Sequence, residues 1–228
     1  FKKIYTLPFK FTIPSYINEF FINSHFLKSR IKYIKRFFYL LLKRQKTYEI
    51  NSILPRHKKI LWINISANSL GDSLMDLSSR VLLKGRQVDL FTDTKNALLY
   101  ENDLEFSNIF SDLDHYNGSD YDLIILDSFS TRSVNIKAKL APLVSYVSMF
   151  GYFNGPEVNR VLFSFHRMNN LLGYIKNEKD VNKLAKCSIT ISNNDQELIK
   201  NISLPKHYIT IAIGGEWAYR NYNKWDEI

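Results

Sequence analysis

A single cysteine, Cys187, stands in the 228-residue chain, which excludes a disulfide framework and any cysteine-cluster zinc site. Such cysteine usage fits a reducing compartment. No apolar run approaches the roughly 20 residues that span a bilayer, and the longest near the start covers only residues 37–42. That stretch is too short and too studded with charge for a signal peptide. Acids are nearly missing from residues 1–60, where Glu19 and Glu49 face 14 Lys and Arg, a balance of +12. Residues 61–228 carry 17 basic and 20 acidic side chains, so the formal +9 of the chain is a basic arm joined to a mildly acidic body. A G-x-G-x-x-G fingerprint and a P-loop lysine are both absent, which makes nicotinamide oxidoreductase and P-loop kinase poor readings. No His, Asp or Glu spacing suggests a metal, and no cofactor is implied. Internal repeats and low-complexity tracts are also lacking. What is present is 45% hydrophobic and 14% aromatic residues, enough to bury a core and to exclude disorder throughout.

The arm, residues 1–57, contains the run HFLKSRIKYIKRFFYLLLKRQK over residues 25–46, without Gly or Pro. With Leu27 at zero and 100° per residue, Ile31, Ile34, Phe38, Leu41 and Leu42 fall within about 60° of it. Most of the lysines and arginines fall on the other side. The pattern predicts a basic amphipathic helix. One reading lays it in an anionic membrane interface, apolar face in the acyl boundary and cations on headgroups. The other packs the apolar stripe on the body and leaves the charges solvated. Nucleic acid is disfavoured as a partner, because no recognition motif is present. Pro8, Pro14 and Pro55 break the flanks, so the arm is expected to end in a linker near Arg56.

From Lys58 the pattern turns to strands alternating with helices. Strands are expected at residues 58–66, 87–93, 106–110, 121–127, 143–150, 187–192 and 207–215, and helices near 73–83, 95–100, 133–140, 158–175 and 194–202. This alternation predicts an α/β fold, a Rossmann-like doubly wound parallel sheet, over residues 58–204. Function in such sheets sits beyond the carboxyl ends of the strands, near the topological switch point. Four loops lie there. After the first strand, Gly71 is expected to allow a tight turn and Asp72 to open a helix, as a catalytic carboxylate or as a routine cap. After the strand at 121–127 come Asp127, Ser128, Ser130 and Arg132, suited to sugar hydroxyls or to capping the next helix. The NDQE run at 194–197 reads as plain capping. In IGGEWAYRNYNKW, Gly214 and Gly215 let a phosphate or ring approach the backbone, with Arg220 and Lys224 near a helix start. Trp217, Tyr219 and Tyr222 suit stacking on a base or sugar, and equally core packing. His166 and Arg167, in FSFHRM on a helix, suit acidic groups of a ligand, but a surface pair is the plainer reading.

Taken in order, three motifs resemble the heptosyltransferases of glycosyltransferase family 9: Ser69-Leu70-Gly71-Asp72 preceded by Ser66, the YDLIILD strand at 121–127, and the stretch from Gly214 to Trp225. The resemblance spans roughly residues 58–228. It implies a two-domain GT-B fold, of which residues 205–228 would be the first strand and helix start of the donor-side domain, so that the chain reads as a fragment, inactive by itself. It implies an inverting transfer of heptose from ADP-heptose to a lipopolysaccharide-type acceptor at the cytoplasmic face of the inner membrane. The family's general base falls on Asp72, with Ser69, Gly71, Asp127, Ser128, Ser130 and Arg132 around the substrates and Gly214, Gly215, Arg220 and Lys224 toward the diphosphate. Two positions depart from the family: its phosphate-binding lysine aligns with Asn223, leaving Lys224 or Arg220 as the cation, and Ser130 replaces a glycine. The family needs no metal for the diphosphate. The other class of function is a non-catalytic, degenerate transferase-fold module that binds membrane or partner proteins through the basic arm.

Overall fold

A computed structural model describes residues 4–67, 69–113 and 120–202. The expected strand at 207–215 and the third motif lie outside the described residues. Two compact units are present, residues 1–190 and 191–228. The first holds a five-stranded, all-parallel sheet: β1 (Lys59–Asn64), β2 (Gln87–Thr92), β3 (Asn108–Phe110), β4 (Leu123–Leu126) and β5 (Tyr146–Ser148), in spatial order β3-β2-β1-β4-β5. Trp62 of β1 registers with Leu90 of β2 on one side and Ile125 of β4 on the other. Strand β4 is apolar and buried at every position, and β1 is apolar between its ends at Lys59 and Asn64, because both faces of the sheet are covered.

The helices are α1 (Ser15–Leu42), α2 (Leu70–Asp76), α3 (Thr94–Ala97), α4 (Thr131–Leu140), α5 (Arg160–Leu171) and α6 (Glu178–Leu184). Ile60, Trp62, Leu90 and Ile125 point to the face where Leu77, Phe165 and Met168 pack. Leu61, Ile63, Ile124 and Leu126 point to the opposite face, against Val134 of α4 and Leu40 of α1. Each body helix starts on a side chain that accepts from its first turn: Ser69, Asp93, Ser130, Asn159 and Asn177. The second unit contributes α7 (Asn193–Lys200), opened by a full capping box between Ser192 and Asp195.

Several element expectations are corrected. Residues 187–192 form no strand, and Ile189 and Ile191 are exposed, so their alternation has no sheet to face. The helix expected over 73–83 is α2 followed by a 3₁₀ segment, Ser78–Leu83. Helix α6 forms where the sequence pattern predicts no element. The arm helix starts earlier than its basic run, behind Pro14, whose fixed φ suits a helix start. It ends where Arg44 takes a positive φ of 53° and the amide of Gln45 donates to Leu40 O, a Schellman closure built without glycine. The segment after it is tied down: the Ile50 amide donates to Tyr146 O at 2.8 Å, and that of Ile53 to Leu171 O at 2.7 Å.

The orientation of α1 corrects the reading in which its apolar stripe packs on the body. Leu40, Arg36 and Ser29 are its buried residues, and Tyr39 donates to Asn135 of α4. The stripe centred on Leu27 is turned away from the body: Leu27 is 68% exposed and Phe38 56%. The helix packs, but by its other side.

Candidate functional site

The sheet order reverses between β1 and β4, and a crevice of about 760 Å³ opens where their carboxyl ends diverge. It is lined by Ser66 after β1, Asp72 and Asp76 of α2, Asp127 and Ser128 after β4, and Arg160 at the start of α5. Lys32 and Arg36 of α1 complete the wall, with Phe150 and Phe153 beside them.

Each side chain is placed by local chemistry. Ser69 caps α2, its hydroxyl accepting from the Asp72 amide at 3.2 Å and donating to Asp72 Oδ2 at 3.0 Å. Asp72 thus opens the helix while its half-buried carboxylate faces the crevice. One turn later Asp76 lies on the same helical face. Arg160 joins the two: Nη1 pairs with Asp72, while Nε and Nη2 donate to the two oxygens of Asp76 at 2.9 and 2.6 Å. Burial pushes the Asp76 carboxyl up to about 7, and the neighbouring charges of Asp127 and Asp72 add to that. Arg160 opposes the rise but is a third exposed, so solvent weakens its hold.

Asp127 is wholly buried and accepts from the amides of Ile65, Ser66 and Ser128. Burial raises its carboxyl, against the pull of the Ser133 hydroxyl and these amides. Its lone pairs are spent on holding the β1–α2 and β4–α4 turns together, so it shapes the crevice floor. Beside it the hydroxyls of Ser66, Ser130 and Ser133 form a ring of contacts at 2.7–2.8 Å. Arg36 donates from Nη1 to Phe153 O at 2.9 Å; burial lowers its pKa, opposed by the charge of Asp127. The crevice therefore carries carboxylates on its α2 side and cations on its α1 side. Such an arrangement can take a proton from a hydroxyl and hold an anionic group in the same space.

No protein-family model, curated protein or solved structure matches the chain. The functional reading accordingly rests on the site itself.

Of the residues singled out in the sequence, the fold brings Asp72, Asp127 and Ser128 into the crevice. Ser69 and Ser130 stand behind it as caps of α2 and α4. Gly71 is corrected from a tight-turn residue to an ordinary position in α2: a Cβ there would meet nothing, and its φ is not positive. Arg132 is exposed on α4 and does not line the crevice. Gly214, Gly215, Arg220 and Lys224 lie outside the described residues. Arg167 is corrected from a surface residue to a buried one, donating to Ser148 O and Pro8 O, while His166 meets Asn182. Among the described residues no group of His, Cys, Asp and Glu is placed to hold a metal ion.

Four residues of the site, Asp76, Arg160, Lys32 and Arg36, belong to none of the sequence motifs. The i, i+4 spacing of Asp72 and Asp76 was a readable signal for a carboxylate pair on one helix face. Arg160 is distant in sequence, and Lys32 and Arg36 belong to a helix whose docking side the amphipathic pattern leaves open. Nothing local marks them.

Proposed function

We propose that the chain is the acceptor-side part of an inverting GT-B glycosyltransferase of the heptosyltransferase type. The observation that carries this reading is Asp72, a half-exposed carboxylate fixed by Ser69 and Arg160 at the switch-point crevice of a parallel sheet. The acceptor hydroxyl donates its proton to Asp72 as its oxygen attacks the anomeric carbon. The bond from that carbon to the diphosphate breaks, and the nucleoside diphosphate leaves with the electron pair. Asp76 and Arg160 position Asp72, and Lys32 and Arg36 face the acidic groups of a lipopolysaccharide-type acceptor. The donor is a nucleotide-sugar, with ADP-heptose the first to test, and the place of work is the cytoplasmic face of the inner membrane.

A transfer assay on the two-domain enzyme, pairing ADP- and UDP-sugars with a lipopolysaccharide-core acceptor, tests the reading; the acceptor-side part alone is expected to show no transfer. Asp72→Asn is expected to lower the transfer rate about 100-fold or more, the scale of a lost general base, with acceptor binding retained. A rate within a few-fold of the parent removes Asp72 from catalysis.

The second reading is a transferase-fold module without catalysis, and one observation favours it: Arg160 engages both carboxylates of α2, so the would-be base is already paired. Under that reading no sugar donor is turned over, and Asp72→Asn alters stability alone.

A further inference from the structure

Helix α1 uses its two sides for different purposes. Leu40 is buried in the core, and Arg36 and Lys32 line the crevice, all on the body-facing side. The other side carries Phe20, Leu27, Ile31, Phe38 and Leu42 in one line, each more than half exposed. At 1.5 Å per residue this stripe runs for about 33 Å. Exposed apolar residues scattered singly need no explanation, but a line on one helix, broken by Asn23 and Ser24 and resumed from Leu27 to Leu42, does.

The charges beside the stripe identify what covers it. Lys28 and Lys35 flank one edge, and Arg30 stands at the other with its guanidinium 5.8 Å from the Phe26 ring centroid. Lys43 and Arg44 follow at the carboxyl end, and Glu19 is the one acid in the helix. A second copy laid on this stripe would bring two rows of like charge together. An anionic bilayer surface offers acyl chains to the apolar line and phosphates to the cations flanking it. Among the described residues no helix is long and apolar enough to cross a membrane, so the geometry is that of a helix lying in the interface plane.

We infer that the outward stripe of α1 is a membrane-docking face, seated in the headgroup region of an anionic bilayer. Seating by this side keeps Lys32 and Arg36, on the other side, in the crevice wall. The inference does not depend on what reaction the crevice performs.

Co-sedimentation of the full chain with vesicles of phosphatidylcholine, with and without phosphatidylglycerol, tests it. Strong binding to the mixed vesicles and weak binding to the neutral ones is expected. Replacing Leu27, Ile31 and Phe38 by Ser is expected to reduce partitioning at least about tenfold, since each loses apolar burial in the interface. Lys28→Gln with Lys35→Gln is expected to reduce it by about tenfold or more on anionic vesicles only. The exposed positions leave the fold intact, checked by an unchanged thermal midpoint. Equal binding to both vesicle types overturns the inference, as does an apolar triple variant that binds like the parent. Self-association lost in that variant, without vesicle binding in the parent, assigns the face to a second copy and also overturns it.

Discussion

Asp76 and Arg160 set the electrostatics of the crevice from behind. A carboxyl with a folded-state value of about 7, against 3.8 for the free group, keeps its proton over a window where the unfolded chain has lost it. The folded state then binds more protons than the unfolded one, so this group's contribution to stability falls as pH rises from about 4 to about 7. Asp76→Asn is expected to abolish that contribution. Unfolding free energies of parent and variant, measured by urea titration at several pH values, should converge at low pH and separate in the variant's favour toward neutrality. A constant difference across the window would show that Arg160 holds Asp76 ionised throughout. Legibility at this scale was uneven. Asp72 and Asp127 were readable because they follow strands and precede helices. Arg160 was not, since a long-range ion pair leaves no mark on spacing.

Helices in this molecule are delimited by different chemistry at their two ends. Capping by Ser, Asp and Asn opens the body helices, and those residue types were visible in the sequence. The stop of α1 was hidden, because Arg44 adopts the left-handed conformation that glycine usually supplies. A side chain there costs about 1 kcal/mol, so Arg44→Gly is expected to stabilise the protein by about 0.5–1 kcal/mol in chemical denaturation. A loss of stability would mean that the arginine side chain contributes more than its backbone strain costs. The false strand at 187–192 teaches the converse lesson. Alternation of apolar residues shows a strand only if a neighbouring strand is there to receive its hydrogen bonds.

Joining of the arm to the body is the main feature at the scale of the whole molecule. Leu40 is fully buried in the cluster that also holds Leu61, Ile63 and Val134. Lys137 of α4 donates to Gln45 Oε1 at 2.5 Å, just beyond the end of α1. The arm and the sheet are therefore expected to unfold in a single cooperative transition. Leu40→Ala should lower its free energy by about 2–5 kcal/mol, the range for a buried leucine cut back to alanine. A separate early transition for the arm, with the main one unmoved, would contradict this coupling.

By itself the sequence determined the α/β class, the strand–helix alternation over most of the body and the place of Asp72 beyond β1. Those follow from local periodicity and capping, which act over a few residues. It also determined the division of charge into a basic arm and a mildly acidic body. The tertiary structure alone decided which side of α1 meets the body. An amphipathic pattern says that a helix has two faces, but the choice between them depends on what the sheet offers. Here it offers a hydrophobic seat for Leu40 and a polar crevice for Lys32 and Arg36, and so the charge counted at the outset divides between a wall of the site and the border of an exposed apolar stripe.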